Sequence, residues 1–251
     1  MSLATAIPEQ ATLFFWEGAV LFVGRISDTA VHKHNAIQVC VSIDTPFRVM
    51  LDETWQHTSY AVIPANIPHQ LDASSGPIAL ALLDNDSCLG QEVVTIKAQT
   101  SSRSAAGIAV LPVNISEAQN TLRTMIGQLG ESPIDSRDVA RDPRIERAIE
   151  HMVEIPEEAM RAHDVAKSVG LSESRFLHLF TQHMGLPFRR YVLWRRIRKS
   201  ITVIVNGSDL TTAAHAGGFS DLAHFSRTFK QNFGLSPSKL FQNSRNVQVI
   251  L

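Results

Sequence analysis

Only two cysteines occur in 251 residues, Cys40 and Cys88. That is too few for the disulfide framework of a secreted domain, and it points to a reducing cytoplasm. No apolar run reaches 18 residues, so no membrane span or membrane partner is expected. The opening MSLATAIPEQ has neither the basic start nor the long apolar stretch of a signal peptide. There is no low-complexity tract, no glycine-rich phosphate loop and no nucleophile set beside a base. What is present is length enough for two ordinary domains and a hydrophobic content of 44%, enough for each to bury a core.

The net charge of -1 conceals a division. Residues 1–140 hold 7 Lys+Arg against 14 Asp+Glu, a net of -7. Residues 141–251 hold 16 against 10, a net of +6. An acidic half joined to a basic half leaves the second half suited to a polyanion, although charge alone does not decide the matter.

The first half has the pattern of strands. "ATLFFWEGAVLFVGRI", "AIQVCVSI", "FRVMLD", "SYAVIP" and "IALALLD" are short apolar runs separated by Asp, Pro, Ser and Gly. They predict an antiparallel sandwich or small barrel over residues 1–111. The character changes after Pro112. In "VNISEAQNTLRTMIGQLGE", Ile115, Ala118, Leu122, Met125 and Leu129 follow steps of 3 and 4 along one helical face. A helical extension over 112–134 follows, with two destinations open for its seam. It packs on its own domain, or Leu122, Met125 and Leu129 join two copies into a homodimer. Residues 135–141 make a linker.

Residues 142–251 have helical periodicity throughout. Asp142 is placed to cap a helix with Pro143 in its first turn, and Ile145, Ile149, Met152 and Val153 form its apolar stripe. In "RAHDVAKSVGLSESRFLHLFTQHMG", a short helix with Val165 and Ala166 ends at Gly170. Ser172 then caps a second helix with Phe176, Leu179 and Phe180 inward, which is a helix-turn-helix plan. The plan returns in "LTTAAHAGGFSDLAHFSRTFKQNFGLSPSKL". Gly218 repeats Gly170 at an offset of 48, and Phe225 and Phe229 repeat Phe176 and Phe180 at 49. A longer helix, "FRRYVLWRRIRKSITVIV", joins the copies. Two such units in the basic half point to double-stranded DNA, with the second helix of each in a groove.

The words "VAKSVGLSESRFLHLFTQHMG" and "AAHAGGFSDLAHFSRTFKQNFGLSPSKL" resemble the AraC/XylS family of transcription regulators over about 110 residues. Ala213 stands where a larger aliphatic residue is usual, and the ending "PSKLFQ" departs from the family's Pro-x-x-aromatic-Arg. The resemblance implies a two-domain β + α chain, with a cupin-like antiparallel barrel ahead of an all-α DNA-binding domain. With no nucleophile-base pair and two helix-turn-helix units, the chain is not expected to be an enzyme, and RNA polymerase is a further candidate partner. Arg227, opposite the Phe225/Phe229 face, is the candidate for a guanine contact, a role the resemblance supports. Leu222 and Ala223, earlier on that helix, are placed for thymine methyls. By resemblance, Ser174, Leu177 and His178 face the groove in the first unit. Lys230, Arg195 and Arg196 are candidates for phosphate contacts or plain surface charge.

A second constellation lies in the first half. His32, His34 and Gln38 in "HKHNAIQ", with His69 in "IPANIPHQ", offer three imidazoles and an amide oxygen. Such donors suit Zn, Fe, Ni or Mn, and the pattern is similar to the metal-binding pattern of cupins. Three uses stay open: a divalent metal, a small organic effector without metal, or structural histidines. The function expected is a sequence-specific transcription regulator controlled by a small effector. The alternatives are a cupin metalloenzyme fused to a DNA-binding domain, and a constitutive DNA binder whose first domain only dimerises.

Overall fold

The computed structural model of the chain describes residues 11–16, 18–26, 28–93, 99–101, 112–127, 142–157, 159–242 and 246–249. They fall into two compact units, those within Met1–Ser132 together with Ser226–Leu251, and those within Pro133–Phe225.

The first unit is built on a sheet. Its strands are β1 Thr12–Trp16, β2 Ala19–Ile26, β3 Ala36–Ser42, β4 Phe47–Leu51, β5 Thr54–Thr58, β6 Tyr60–Ile63, β7 His69–Asp84, β8 Gln99–Ser101 and β9 Asn246–Val249. The order runs β8-β6-β3-β7-β2-β1-β9, with β4 and β5 paired off the side of β7. The 16-residue β7 serves twice. Its start, His69–Asp72, pairs with β4, while Ile78–Leu83 lies between β2 and β3. The parallel pairing of β9 with β1 brings the end of the chain onto this sheet.

The expected cupin-like antiparallel barrel is not what forms. The sheet is open, and the strands at its two ends, β8 and β9, do not pair with each other among the described residues. The physical reason lies in what covers the apolar face. Helix α1 spans Cys88–Val93 and α2 spans Ile115–Gly127. Ile115, Ala118, Leu122 and Met125 of α2 are buried in one cluster with Phe14, Leu21, Val23, Ile37, Val39, Val62 and Leu83. The Tyr60 hydroxyl also donates to the Met125 carbonyl at 3.4 Å. A helix laid on the sheet removes that face from water without the sheet curling onto itself.

The second unit is helical. It comprises α3 Pro143–Val153, α4 Ala162–Ser168, α5 Glu173–Met184, α6 Phe188–Val205, α7 Leu210–Ala216 and the start of α8 Leu222–Phe233. The rest of α8 and helix α9, Pro237–Gln242, are counted with the first unit. The expected caps are present. Asp142 accepts from the Arg144 N–H ahead of Pro143, and Ser172 accepts from the Arg175 N–H. The stripe of α3 differs from expectation at one end, because Ile145, Ala148 and Met152 are buried while Val153 is 68% exposed. One residue past Met152 is a turn of about 100°, which carries Val153 off the covered face. Phe176, Phe180, Phe188 and Tyr191 pack with ring centroids 5.4–5.5 Å apart, edge to face except for the tilted Phe176–Phe180 pair.

Candidate functional site: a repeated helix pair and a three-histidine centre

Each helix pair is set by its turn. Gly170, between α4 and α5, has φ +71, and Gly218, between α7 and α8, has φ +76. Such a left-handed residue reverses the chain within a few residues at little cost only when it lacks a Cβ. The turns otherwise differ. A Cβ on Gly217 would lie 2.0 Å from Ser200 Oγ and 2.7 Å from the Arg196 carbonyl oxygen, so α7 lies almost in backbone contact with α6. Val169 holds the corresponding position in the first copy, where a branched side chain takes the place of the glycine.

Most of the expected DNA-reading residues are accessible. Ser174 and His178 are exposed on α5 and Leu177 is half-buried. On α8, Ala223, Arg227 and Lys230 are exposed and Leu222 is half-buried, while Phe225 and Phe229 are fully buried. Arg195 and Arg196 both turn toward Glu157. Arg195 Nη2 lies 3.2 Å from Glu157 Oε1, and its Nη1 donates to the Met152 carbonyl. Arg196 donates to the Glu157 carbonyl at 3.2 Å, and Lys199 Nζ lies 3.1 Å from Glu157 Oε2. Burial opposes charge on Glu157, but its bonds to backbone and Lys199, with Arg195 beside it, hold its carboxyl below the usual range. Glu157 thus organises the basic side of α6 inward. No sequence pattern marks it, because its partners lie about 40 residues away.

The seam Leu122–Met125 is fully buried under the chain's own sheet. Of the two destinations open to it, the intramolecular one is therefore filled, and those two side chains are not available to a second copy. Leu129 lies outside the described residues.

The histidines converge. His32 and His69 form an antiparallel bridge, each backbone N–H donating to the other's carbonyl at 2.9 Å. Such a pair places its side chains together on one face. His34 follows two residues later, held where the Asn66 N–H donates to its carbonyl at 2.8 Å. Asn66 has φ +66, a conformation that Asn tolerates better than most residues. Ring centroids are 4.3 Å apart for His32 and His69, 5.0 Å for His34 and His69, and 5.8 Å for His32 and His34. One donor atom from each lies within 4.8 Å of the others, so the trio could hold a metal ion.

The hydrogen bonds fix which nitrogens remain. Each Nδ1 faces a backbone carbonyl: His32 to Ala30 at 2.8 Å, His34 to Ala36 at 2.9 Å, and His69 to Ile67 at 2.9 Å. A ring that donates from Nδ1 keeps an Nε2 lone pair for a ligand, the arrangement usual in metal-bound histidine. His69 Nε2 is buried with no hydrogen-bond partner. His34 Nε2 is 2.9 Å from Gln38 Oε1, whose amide nitrogen is 3.2 Å from Cys40 Sγ. A neutral imidazole has one N–H, yet Ala36 O and Gln38 Oε1 both accept. Two arrangements satisfy these groups. The Gln38 amide turns end for end, so that its NH2 donates to His34 Nε2 and its oxygen accepts a hydrogen bond from the Cys40 thiol, or a cation sits between the two lone pairs. Burial, with His34 adding to it, lowers the His32 pKa to about 4 against the bond to Ala30. Burial likewise lowers His34 and takes His69 well below the ordinary value. It pushes the Cys40 thiol up to about 12. The centre is therefore neutral and rich in lone pairs near neutral pH.

Residues 165–243 match the family model of a helix-turn-helix domain. The chain is 33% identical over 89 residues to the Msm operon regulatory protein of Streptococcus mutans, covering 35% of this chain and 32% of that protein. It is 28% identical over 124 residues to the arabinose operon regulatory protein of Escherichia coli, 49% of this chain and 42% of that one. The chain thus spans less than half the length of these curated relatives. The fold as a whole is similar to that of ToxT from Vibrio cholerae O395, at a TM-score of 0.59 over 90% of this chain and 98% of that one, with 15% identity. Both curated relatives are regulatory proteins of operons. No helix among the described residues is long and apolar enough to cross a membrane.

Proposed function

We propose that the chain is a sequence-specific DNA-binding transcription regulator of the AraC/XylS type whose sheet unit responds to a small effector, a divalent cation held by His32, His34 and His69. The observation that carries the DNA reading is the repeated helix pair, with two recognition helices whose inner faces are fixed by phenylalanines and whose outer faces are accessible. Ser174, Leu177 and His178 on α5, and Leu222, Ala223 and Arg227 on α8, read base edges, and Lys230 holds phosphate. The sensing part lies ahead of residue 112 and the reading part begins at residue 142.

The cation reading is supported by the orphaned His69 Nε2 and by the two acceptors that face each other at His34 and Gln38. Three imidazoles and an amide oxygen favour a borderline ion such as Zn, Ni or Fe(II) over Ca or Mg. The ion acts as a charge that ties the segment of His32 and His34 to the start of β7 at His69. The histidines hold it as neutral donors, and Gln38 adds an oxygen without adding charge.

Selection of bound duplexes from a random library, followed by titration of the enriched and scrambled sites, tests the reading. A recurrent motif bound at least about a thousandfold more tightly than the scrambled site is expected. Folded protein that enriches no motif would remove it. Repeating the titration with added Zn2+ and with a chelator tests the effector.

A further inference from the structure

Gly234 ends the second recognition helix and touches the histidine centre. Its N–H donates to the Lys230 carbonyl at 2.8 Å, and its φ is +70. Its own carbonyl accepts from the Ala30 N–H at 3.2 Å. A Cβ at Gly234 would lie 2.7 Å from the Ala30 carbonyl oxygen, 2.7 Å from His32 Nδ1 and 2.8 Å from Thr29 Cβ. The end of α8 therefore approaches the segment that carries His32 more closely than any side chain would permit.

The first copy supplies an internal control. Gly185, 49 residues earlier, ends α5 with φ +67 and donates to Thr181 as Gly234 does to Lys230, yet nothing lies within 4 Å of a Cβ built there. A left-handed cap needs glycine in both copies. Only the second copy adds the close approach.

The contact reaches the metal donors through few bonds. Ala30 gives its N–H to Gly234 and receives the His32 Nδ1 bond on its carbonyl at 2.8 Å. Thr29 donates its N–H to the Leu71 carbonyl at 2.9 Å and accepts the Leu71 N–H on its Oγ1 at 3.0 Å, two residues from His69. A cation that fixes His32 and His69 fixes both anchors of the Thr29–His32 segment, and with them the seat of Gly234. In this docked arrangement Arg227 and Lys230 remain exposed. Docking therefore orders the reading helix without covering it.

We propose that a divalent cation at His32, His34 and His69 and the docking of the end of α8 on Thr29–His32 stabilise each other, so that the cation orders the second recognition helix and raises DNA affinity. This rests on the metal reading above. Linkage makes the effect reciprocal: whatever factor the cation adds to docking, docking adds to cation affinity.

The test uses the full chain with Co2+ as probe, read by its visible absorption, and hydrogen exchange over residues 226–242. Wild type binds one Co2+, His69→Ala loses it, and Gly185→Ala binds as wild type does. Gly234→Ala keeps all three histidines but binds Co2+ about tenfold more weakly, within the usual range of coupling between sites. Co2+ slows exchange in 226–242 in wild type and not in Gly234→Ala, and it tightens DNA binding in wild type alone. If Co2+ binds wild type and Gly234→Ala equally and leaves exchange in 226–242 unchanged, the coupling is wrong while the metal reading stands. If DNA affinity falls on adding Co2+, the direction is wrong. If wild type binds no Co2+, the metal reading fails and the coupling with it. Should Gly234→Ala not fold, exchange in the wild-type chain alone decides.

Discussion

Replacing Gly217 by alanine sets two effects against each other. Gly217 has φ -79 and ψ 2, a conformation that alanine adopts without strain. On that ground the change would stabilise by about 0.4–1 kcal/mol, through the lost freedom of the unfolded chain. The new methyl would lie 2.0 Å from Ser200 Oγ, 2.7 Å from the Arg196 carbonyl oxygen and 3.3 Å from a ring carbon of Phe219. Ser200 is fully buried, and its hydroxyl donates to that same Arg196 carbonyl at 3.2 Å. The hydroxyl can rotate away, but the backbone oxygen cannot, so α7 must lift from α6. Overpacking of this kind costs about 1–3 kcal/mol. The net expectation is a loss of about 1–2 kcal/mol, or roughly 2–8 °C in midpoint for a chain of this size. Thermal unfolding followed by far-ultraviolet circular dichroism measures it. Adding Ser200→Ala to Gly217→Ala recovers part of the loss, because the Arg196 oxygen stays in the way. A Gly217→Ala chain that melts at or above the wild-type midpoint would refute the claim that α7 rests on backbone.

Three further outcomes are expected. Leu122→Glu places a charge in the fully buried seam under the sheet, and its cost exceeds the roughly 2–5 kcal/mol typical of Leu→Ala. Circular dichroism then finds the sheet unit unfolded, whereas a folded protein that only sediments as a smaller species would return the seam to a second copy. Arg227→Ala lowers discrimination between specific and scrambled duplexes by roughly 1–3 kcal/mol, while Lys230→Ala weakens both about equally; equal losses for Arg227→Ala would assign it to phosphate. Asp72 pairs with Arg48 and accepts from Ser74, which lower its pKa from 3.8 to about 2. A carboxyl depressed on folding contributes stability above its unfolded pKa and loses it as pH falls. Melting points therefore drop between about pH 4 and pH 2, and Asp72→Asn makes that drop shallower. An unchanged slope in the variant would place the acid sensitivity elsewhere.

The helix pairs were legible because their signals are local. Asp142 and Ser172 cap, Gly170 and Gly218 turn, and Phe176, Phe180, Phe225 and Phe229 recur at helical spacing, all within reach of a few residues. The residue types of the histidine centre were equally visible, since His32 and His34 stand two apart and His69 carries the third imidazole. Tertiary structure decided everything that depends on distant segments meeting. Alternation and turn residues predict strands but not whether the sheet closes, and here α2 covers the face that a barrel would have folded inward. The regular seam of α2 carries no mark of whose surface it meets. The charges of Arg195 and Arg196 were plain, but their direction follows from Glu157, which reaches them from another loop. Gly234 has the same sequence signature as Gly185, a glycine ending a recognition helix. Only the packed chain sets one of them in open space and the other against Ala30 and His32, because a close approach is a property of two segments and a sequence position describes one.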